Sequence, residues 1–130
     1  MKCLDTTFLI DFLRGNSDAA RKISKTEKDE FITTAINVFE IVLGIYLMKD
    51  KSEEKLMKFY ELISNLEVLP FDFESSIISS RIIFNLIKDG EQIDDLDGLI
   101  AGILEAKGVA TIITNDKHFS RIEGIKVENY

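Results

Sequence analysis

Four acidic residues stand at positions where a carboxylate could take part in chemistry. They are Asp5, Glu40, Asp97 and Asp116. Carboxylates gathered at close range cannot all ionise unless a cation compensates them, and oxygen-rich sites favour hard ions such as Mg²⁺ or Mn²⁺. Ions of this kind can activate a water and stabilise the charge on a phosphate leaving group. If the four acids converge, the favoured chemistry is phosphodiester hydrolysis.

Each acid also has a purely structural explanation. Asp5 and Asp116 each follow a predicted strand, where an Asp can cap the next helix or form an Asx turn. Glu40 is the only charged residue in the apolar run at 35–48, and an ionised Glu is costly to bury without a partner. Its structural explanation is a salt bridge to a Lys or Arg, or a position that faces solvent. Helical spacing instead places Asn37, Glu40 and Gly44 on one stripe, which suggests the wall of a cleft.

Asp97 belongs to a group of three acids in the first turn of a predicted helix, where acids favourably oppose the helix dipole. Helical spacing places Asp97 at the edge of the apolar arc, Asp95 toward solvent, and Asp94 within reach of the same cleft. Small residues such as Gly98 and Gly102 would let another element approach this helix closely. Asp97 is therefore the preferred candidate, and Asp94 is an additional candidate metal ligand.

Short β-like runs alternate with longer helical segments along the chain. The predicted strands are 2–5, 30–34, 66–69, 109–114 and 125–127. The predicted helices are 6–14, 17–26, 35–48, 52–64, 73–89 and 94–107. Helix starts are predicted at Ser17, Ser52, Asp72 and Asp94, and helix stops at Gly90 and Gly108. Strands separated by helices predict right-handed crossovers and a mostly parallel sheet, so the predicted fold class is α/β.

The predicted sheet brings the strand-end acids to one edge. In open parallel sheets, ligands bind beyond the carboxyl ends of the strands, where the strand order reverses. If the strands before Asp5 and Asp116 are neighbours, about 4.8 Å apart, their carboxylates can converge. The runs 66–69 and 109–114 are almost continuously apolar, as expected of buried parallel strands.

Composition limits the class of protein. The chain has 130 residues, a net charge of −7 and 45% hydrophobic residues, which predicts a single globular domain over 1–130. The single cysteine, Cys3, excludes an internal disulfide and suits a reducing cytoplasm, where we expect the protein. The run at 35–48 is too short and too polar for a bilayer span, and the first residues do not form a signal peptide. The acidic balance disfavours nucleic-acid binding by charge alone, but it is compatible with an acidic pocket that holds a cation.

The sequence resembles the PIN-domain ribonucleases, and most closely the VapC-type toxins of toxin–antitoxin pairs. The resemblance spans nearly the whole chain and rests on four segments in the family's order and approximate spacing. These segments are LDTTFLID, NVFEIVLG, DGLIAGILEAKG and TNDKHF. The resemblance implies a three-layer α/β/α fold around a parallel sheet of about five strands, and an endoribonuclease that uses Mg²⁺ or Mn²⁺. The family's acidic quartet would fall on Asp5, Glu40, Asp97 and Asp116.

The resemblance also implies supporting residues and partners. Thr6 would be the small hydroxyl residue beside the first acid, and Thr114 would be the Thr that precedes the last one. The partners would be an RNA substrate and a small VapB-like antitoxin whose tail occupies the cleft, the toxin would form a homodimer, and no membrane partner is expected. The only histidine, His118, is expected to be a surface or capping residue.

Two other functions stay open on the residues alone. A catalytically inactive PIN-like binding module would use the same acids as caps and would bind no metal. An aspartyl phosphotransfer domain, of the receiver or haloacid-type phosphatase class, would need an Asp nucleophile and a Lys after a later strand. Here Asp5 is followed by two threonines, and Thr114 is followed by Asn115 and Asp116. That pattern disfavours the phosphotransfer class.

Overall fold

A computed structural model describes residues 1–27 and 30–130. In this part of the chain, five short strands form one parallel sheet, and α-helices pack on both of its faces. The strands are β1 (Lys2–Leu4), β2 (Phe31–Thr34), β3 (Glu67–Leu69), β4 (Thr111–Ile113) and β5 (Lys126–Glu128). The helices are α1 (Thr6–Leu13), α2 (Ser17–Ser24), α3 (Ala35–Leu47), α4 (Ser52–Ile63), α5 (Phe73–Lys88) and α6 (Asp95–Ala106), and a 3₁₀ turn covers Lys117–Arg121. The predicted three-layer α/β/α fold is confirmed.

The strand order creates a crevice beside β1. The order across the sheet is β3-β2-β1-β4-β5, so the chain builds outward from β1 first to one side and then to the other. β1 pairs in parallel with both β2 and β4, and Leu4 lies opposite Ile113. The strand order therefore reverses between β1 and β4. This position is the switch point of the sheet, where a parallel sheet binds its ligand. Residues that follow these two strands reach the same crevice.

The core has one layer on each face of the sheet. Successive strand residues point to opposite faces, so Cys3 and Ile112 pack with side chains of α5 and α6. Leu4 and Ile113 pack on the other face with Phe8 and with side chains of α3 and α4. The central strands are thus covered on both sides, and Cys3, Leu4, Ile112 and Ile113 of β1 and β4 are buried in the two core layers.

The helix starts follow local capping chemistry. Asp72 caps α5 and Asp94 caps α6 through their side chains, as predicted. The cap of α2 is Asn16, whose side chain accepts hydrogen bonds from two backbone N–H groups of the first turn, so Ser17 is the first helical residue. At α4, Ser52 is likewise the first helical residue and the helix has no side-chain cap. Within the described ranges, no helix has the length and apolar character that crossing a membrane requires.

Several strands are shorter than predicted, by one or two residues at an end. The predicted strand at 109–114 is extended only over 111–113. The prediction that 66–69 is a buried strand is wrong, because β3 lies at one edge of the sheet and Glu67 is exposed there. The two predicted stops are confirmed, because Gly90 and Gly108 follow α5 and α6 with a φ of +71° each.

Helices α5 and α6 pack at unusually close range. A Cβ atom added at Gly102 would lie 1.8 Å from Ser79 Oγ and 2.8 Å from the Ser75 carbonyl oxygen. A Cβ atom added at Gly98 would lie 2.4 Å from Cγ1 of Ile83. The close approach predicted from the small residues is confirmed. It fixes the position of α6, whose first turn contains an acid of the candidate site.

Candidate active site

Two strand ends and two helices place the four predicted acids around one crevice. Asp5 follows β1 directly, and Asp116 precedes the 3₁₀ turn that follows β4. Glu40 lies on α3, which begins as soon as β2 ends, and Asp97 lies in the first turn of α6. Since β2, β1 and β4 are adjacent parallel strands, their carboxyl ends lie at the same edge of the sheet. The first turn of α6, the helix that precedes β4, lies at this edge as well.

Asp5 is the most deeply placed of these acids, with 4% of its surface exposed. Its Oδ1 accepts a hydrogen bond from Asn37 Nδ2 at 3.0 Å, and its Oδ2 accepts one from Thr114 Oγ1 at 2.7 Å. Although Asp5 occupies the N-cap position of α1, its side chain makes no capping hydrogen bond there. Burial raises the pKa of Asp5 despite these hydrogen bonds, and the charge of Asp116 raises it further. The carboxylate is therefore oriented for the crevice rather than for the helix start.

Asn37 connects the first acid to the second. It is fully buried, and its Nδ2 donates to both Asp5 Oδ1 and Thr6 Oγ1 at 3.0 Å. Its Oδ1 accepts a hydrogen bond from Thr34 Oγ1 at 2.7 Å. The sequence placed Asn37 on the polar stripe one turn before Glu40, but the stripe does not reveal what the amide contacts. Its role as a link between acids is visible only in the tertiary structure.

Thr6 holds Glu40 in the crevice. Thr6 Oγ1 donates to Glu40 Oε1 at 3.0 Å while it accepts from Asn37. Glu40 is half-buried, and burial raises its pKa more than the hydrogen bond from Thr6 lowers it. The charges of the acids nearby, including Asp5 and Asp116, raise the pKa of Glu40 further.

Asp97 has a more strongly raised pKa than Asp5 or Glu40. Its pKa is raised from an ordinary value of 3.8 to about 7, first by burial and then by the surrounding carboxylates. These carboxylates are Asp116, Asp5, Asp94 and Glu40. The other three predicted acids thus all contribute to the raised pKa of Asp97, so the fold places the four side chains within electrostatic reach of one another.

Asp116 is anchored through both its backbone and its side chain. Its backbone N–H donates to Thr114 Oγ1 at 3.0 Å, and its Oδ1 accepts the backbone N–H of His118 at 2.9 Å. Asp116 is therefore a cap of the 3₁₀ turn as well as a member of the crevice. Asp94 is exposed and caps α6 through the N–H of Leu96 at 2.9 Å, so the capping explanation accounts for its contact.

The donor set fits a divalent cation. Among residues 1–27 and 30–130, no Lys or Arg side chain forms an ion pair with any of the four acids. Ligand atoms of Asp97, Asp116 and His118 all lie within 4.8 Å of one another. Clustered carboxylates that no Lys or Arg neutralises must either take up protons or bind a cation. The raised pKa of Asp97 favours the uptake of a proton when no cation is bound. A hard divalent ion would neutralise the cluster instead.

The sequence that forms this sheet and its acidic site matches a known protein family. Residues 2–125 match the model of the PIN domain. The chain belongs to the PIN-domain family. It is 27% identical over 128 residues to the tRNA(fMet)-specific endonuclease VapC of Salmonella typhimurium strain LT2, with 98% of this chain and 96% of that protein covered. It is 30% identical over 129 residues to the ribonuclease VapC of Rickettsia bellii, with 95% of this chain and 92% of that protein covered.

Solved structures give the same result for this PIN domain. The DNA-bound VapBC structure from Salmonella typhimurium aligns with a TM-score of 0.88 and 26% identity, over 98% of this chain and 96% of that one. VapBC2 from Rickettsia felis, bound to a promoter DNA fragment, aligns with a TM-score of 0.87 and 23% identity, over 99% and 98% of the two chains. The predicted resemblance to PIN-domain ribonucleases of the VapC type is confirmed.

The phosphotransfer alternative receives no support from this site. That class needs a Lys beside its nucleophilic Asp, and among the described residues no Lys side chain forms an ion pair with Asp5. Membership of the PIN-domain family points to a nuclease instead.

Proposed function

We propose that this chain is a metal-dependent endoribonuclease and the toxin of a VapBC-type toxin–antitoxin pair. The observation that supports the proposal most is the cluster of Asp5, Glu40, Asp97 and Asp116, which lies at the switch point without a Lys or Arg partner among the described residues. When bound, Mg²⁺ or Mn²⁺ would activate a water for attack on the RNA phosphodiester and offset the negative charge that develops there.

The four acids and the residues that hydrogen-bond to them would have different roles. Asp97 and Asp116 would hold the cation directly, because their ligand atoms lie close together and both side chains are half-buried. Asp5 and Glu40 complete the negative site, and their orientations are fixed by Asn37, Thr114 and Thr6 before any substrate binds. Such preorganisation reduces the cost of assembling the charged site during the reaction. Thr6 and Thr114 are therefore supporting residues.

The proposed substrate is RNA. Two relatives with VapC names are described as specific for tRNA(fMet), so initiator tRNA is the first RNA to test. The net charge of −7 would repel a polyanion from an empty acidic crevice, and a bound cation would reverse the local sign. RNA binding in the crevice is therefore expected to require the metal.

The proposed protein partners are a second copy of this chain and a small VapB-like antitoxin. Structures of VapBC complexes share this fold, which supports the antitoxin. Two helices also expose rows of large apolar side chains of the kind that protein interfaces cover. The α3 row consists of Phe39, Leu43, Tyr46 and Leu47, and the α5 row consists of Phe73, Ile77, Phe84 and Ile87. Light scattering of the purified chain tests the homodimer, for which a monomer mass would be a contradiction.

The central experiment compares the parent with Asp97→Asn and with Asp95→Asn. Asp95 is the exposed first residue of α6, so it is a matched control for charge removal on the same helix. Each protein is incubated with initiator tRNA and with a mixed structured RNA, in Mn²⁺, in Mg²⁺ and in excess EDTA. We expect metal-dependent cleavage by the parent and by the Asp95 variant only. Cleavage in EDTA, or equal cleavage by the Asp97 variant, would contradict the assignment.

Absence of cleavage by every protein would favour the inactive binding module if the metal also fails to bind. Thermal melts with and without Mn²⁺ measure this. A metal-induced stabilisation of the parent that is absent in the Asp97 variant would keep the metal site and direct the search to another RNA.

A further inference from the structure

We propose that His118 supplies a nitrogen ligand to the divalent cation that Asp97 and Asp116 hold. The inference rests on the metal site of the proposed function, and it extends an all-oxygen site to a mixed site. The ligand atoms of these three residues all lie within 4.8 Å of one another. Ligands of a cation at about 2.0 to 2.2 Å are separated by roughly 3 to 4.4 Å, so small side-chain movements would complete the set.

The 3₁₀ turn fixes the histidine beside the acid. Asp116 Oδ1 accepts the backbone N–H of His118 at 2.9 Å, and it lies 3.3 Å from the ring atom Nδ1. The next residue, Phe119, is fully buried and anchors the turn in the core. Ser120 Oγ closes the turn by donating to the Lys117 carbonyl at 2.6 Å. The backbone of the turn is therefore well anchored, and a ring nitrogen of His118 lies within 4.8 Å of ligand atoms of Asp97 and Asp116.

The ring nitrogens are available for a metal. Nδ1 of His118 lies 3.3 Å from Asp116 Oδ1, Nε2 takes part in no hydrogen bond with the described residues, and the side chain is 54% exposed. A histidine that served only as a cap would need its backbone N–H alone, which already binds Asp116. The ring nitrogen lies close enough to the carboxylates of Asp116 and Asp97 for one cation to bind all three side chains.

A nitrogen donor has a consequence for metal selectivity. Imidazole is a good ligand for transition metals, whereas Mg²⁺ prefers oxygen ligands and retains its waters. The site should therefore bind Mn²⁺ more tightly than Mg²⁺. His118→Gln is expected to weaken Mn²⁺ binding about tenfold and Mg²⁺ binding far less. Lys117→Gln, on the exposed neighbouring residue, is the matched control and should change neither.

The test is electron spin-echo spectroscopy of Mn²⁺ bound to the full chain, prepared without a histidine tag and with ¹⁵N-labelled histidine. Because the chain has one histidine, any directly coordinated ¹⁵N signal belongs to His118, and the parent alone decides the question even if the variant folds poorly. The signal is expected in the parent and in Lys117→Gln, and it should be absent in His118→Gln.

The outcomes separate this inference from the proposed function. Bound Mn²⁺ without a coordinated ¹⁵N signal would overturn the role of His118 and leave the carboxylate site intact. Failure of the parent to bind Mn²⁺ at millimolar concentration would overturn both. Calorimetric titration of the same samples with Mn²⁺ and Mg²⁺ measures the selectivity, and an equal loss for both metals in His118→Gln would also contradict the nitrogen ligand.

Discussion

Replacing Asp97 with Asn is expected to stabilise the metal-free protein above pH 7. Burial and the neighbouring carboxylates raise the pKa of Asp97 from 3.8 to about 7 in the folded state. A carboxyl group with a raised pKa contributes its full stability below its unfolded pKa, and that contribution is lost as the pH rises to the folded pKa. The parent should therefore lose stability between about pH 4 and pH 7. Asn has no proton to lose, so the variant should not share this loss.

The size of the effect follows from the two pKa values. Their difference of about 3, at about 1.4 kcal/mol for each pKa unit, sets a ceiling of about 4 kcal/mol on the free energy of unfolding. Asp97 is only partly buried, so water screens some of the repulsion. After this discount we expect a gain of about 1 to 3 kcal/mol at pH 8, and a much smaller gain at pH 5.

Urea unfolding in EDTA at several values from pH 5 to pH 8 measures this gain for the parent, Asp97→Asn and the exposed control Asp95→Asn. The same unfolding curves with Mn²⁺ should show a metal-induced stabilisation of the parent and of the control, but not of the Asp97 variant. A variant no more stable than the parent at pH 8 would refute the reasoning, and so would a gain that is equal at pH 5 and pH 8. In either case the crevice would not be the crowded acidic site described above.

Three further substitutions test the site and the packing behind it. Glu40→Gln should abolish RNA cleavage and raise metal-free stability by less than Asp97→Asn, because the pKa of Glu40 is raised less strongly; a loss of stability in EDTA would contradict this. Asn37→Ala should lower the free energy of unfolding by about 1 to 3 kcal/mol, since it removes buried hydrogen bonds, and an unchanged urea midpoint would show that the link between acids is unimportant. Gly102→Ala should destabilise by about 1 to 3 kcal/mol because the added methyl group meets α5. The control Gly44→Ala, whose Cβ meets nothing within 4 Å, should stabilise by about 1 kcal/mol; if both changes had the same sign in thermal melts, close packing would not be the cause.

The elements themselves could be predicted because their causes are local. The helical spacing of apolar residues, the capping side chains of Asp72 and Asp94, and the glycines at 90 and 108 act within one or two turns of the chain. Alternation of strands with helices then restricts the fold to a parallel sheet with helices on both faces. The α/β class therefore followed from the sequence alone. The candidate acids could also be named, since Asp5 and Asp116 follow strands and Glu40 is isolated in an apolar helix.

Contacts between distant segments needed the tertiary structure. The strand order decides that β1 and β4 are neighbours, and pairing between strands that are more than a hundred residues apart is not encoded in any local pattern. The same order puts β3 at an edge, where its apolar sequence wrongly suggested burial. The partners of Asn37 and the closeness of His118 to Asp97 likewise depend on how α3, α6 and the 3₁₀ turn approach the sheet. The sequence therefore determined which side chains could do chemistry, whereas the packing of the helices and strands decided which of them meet, because hydrogen bonding and charge repulsion depend on distance in space rather than along the chain.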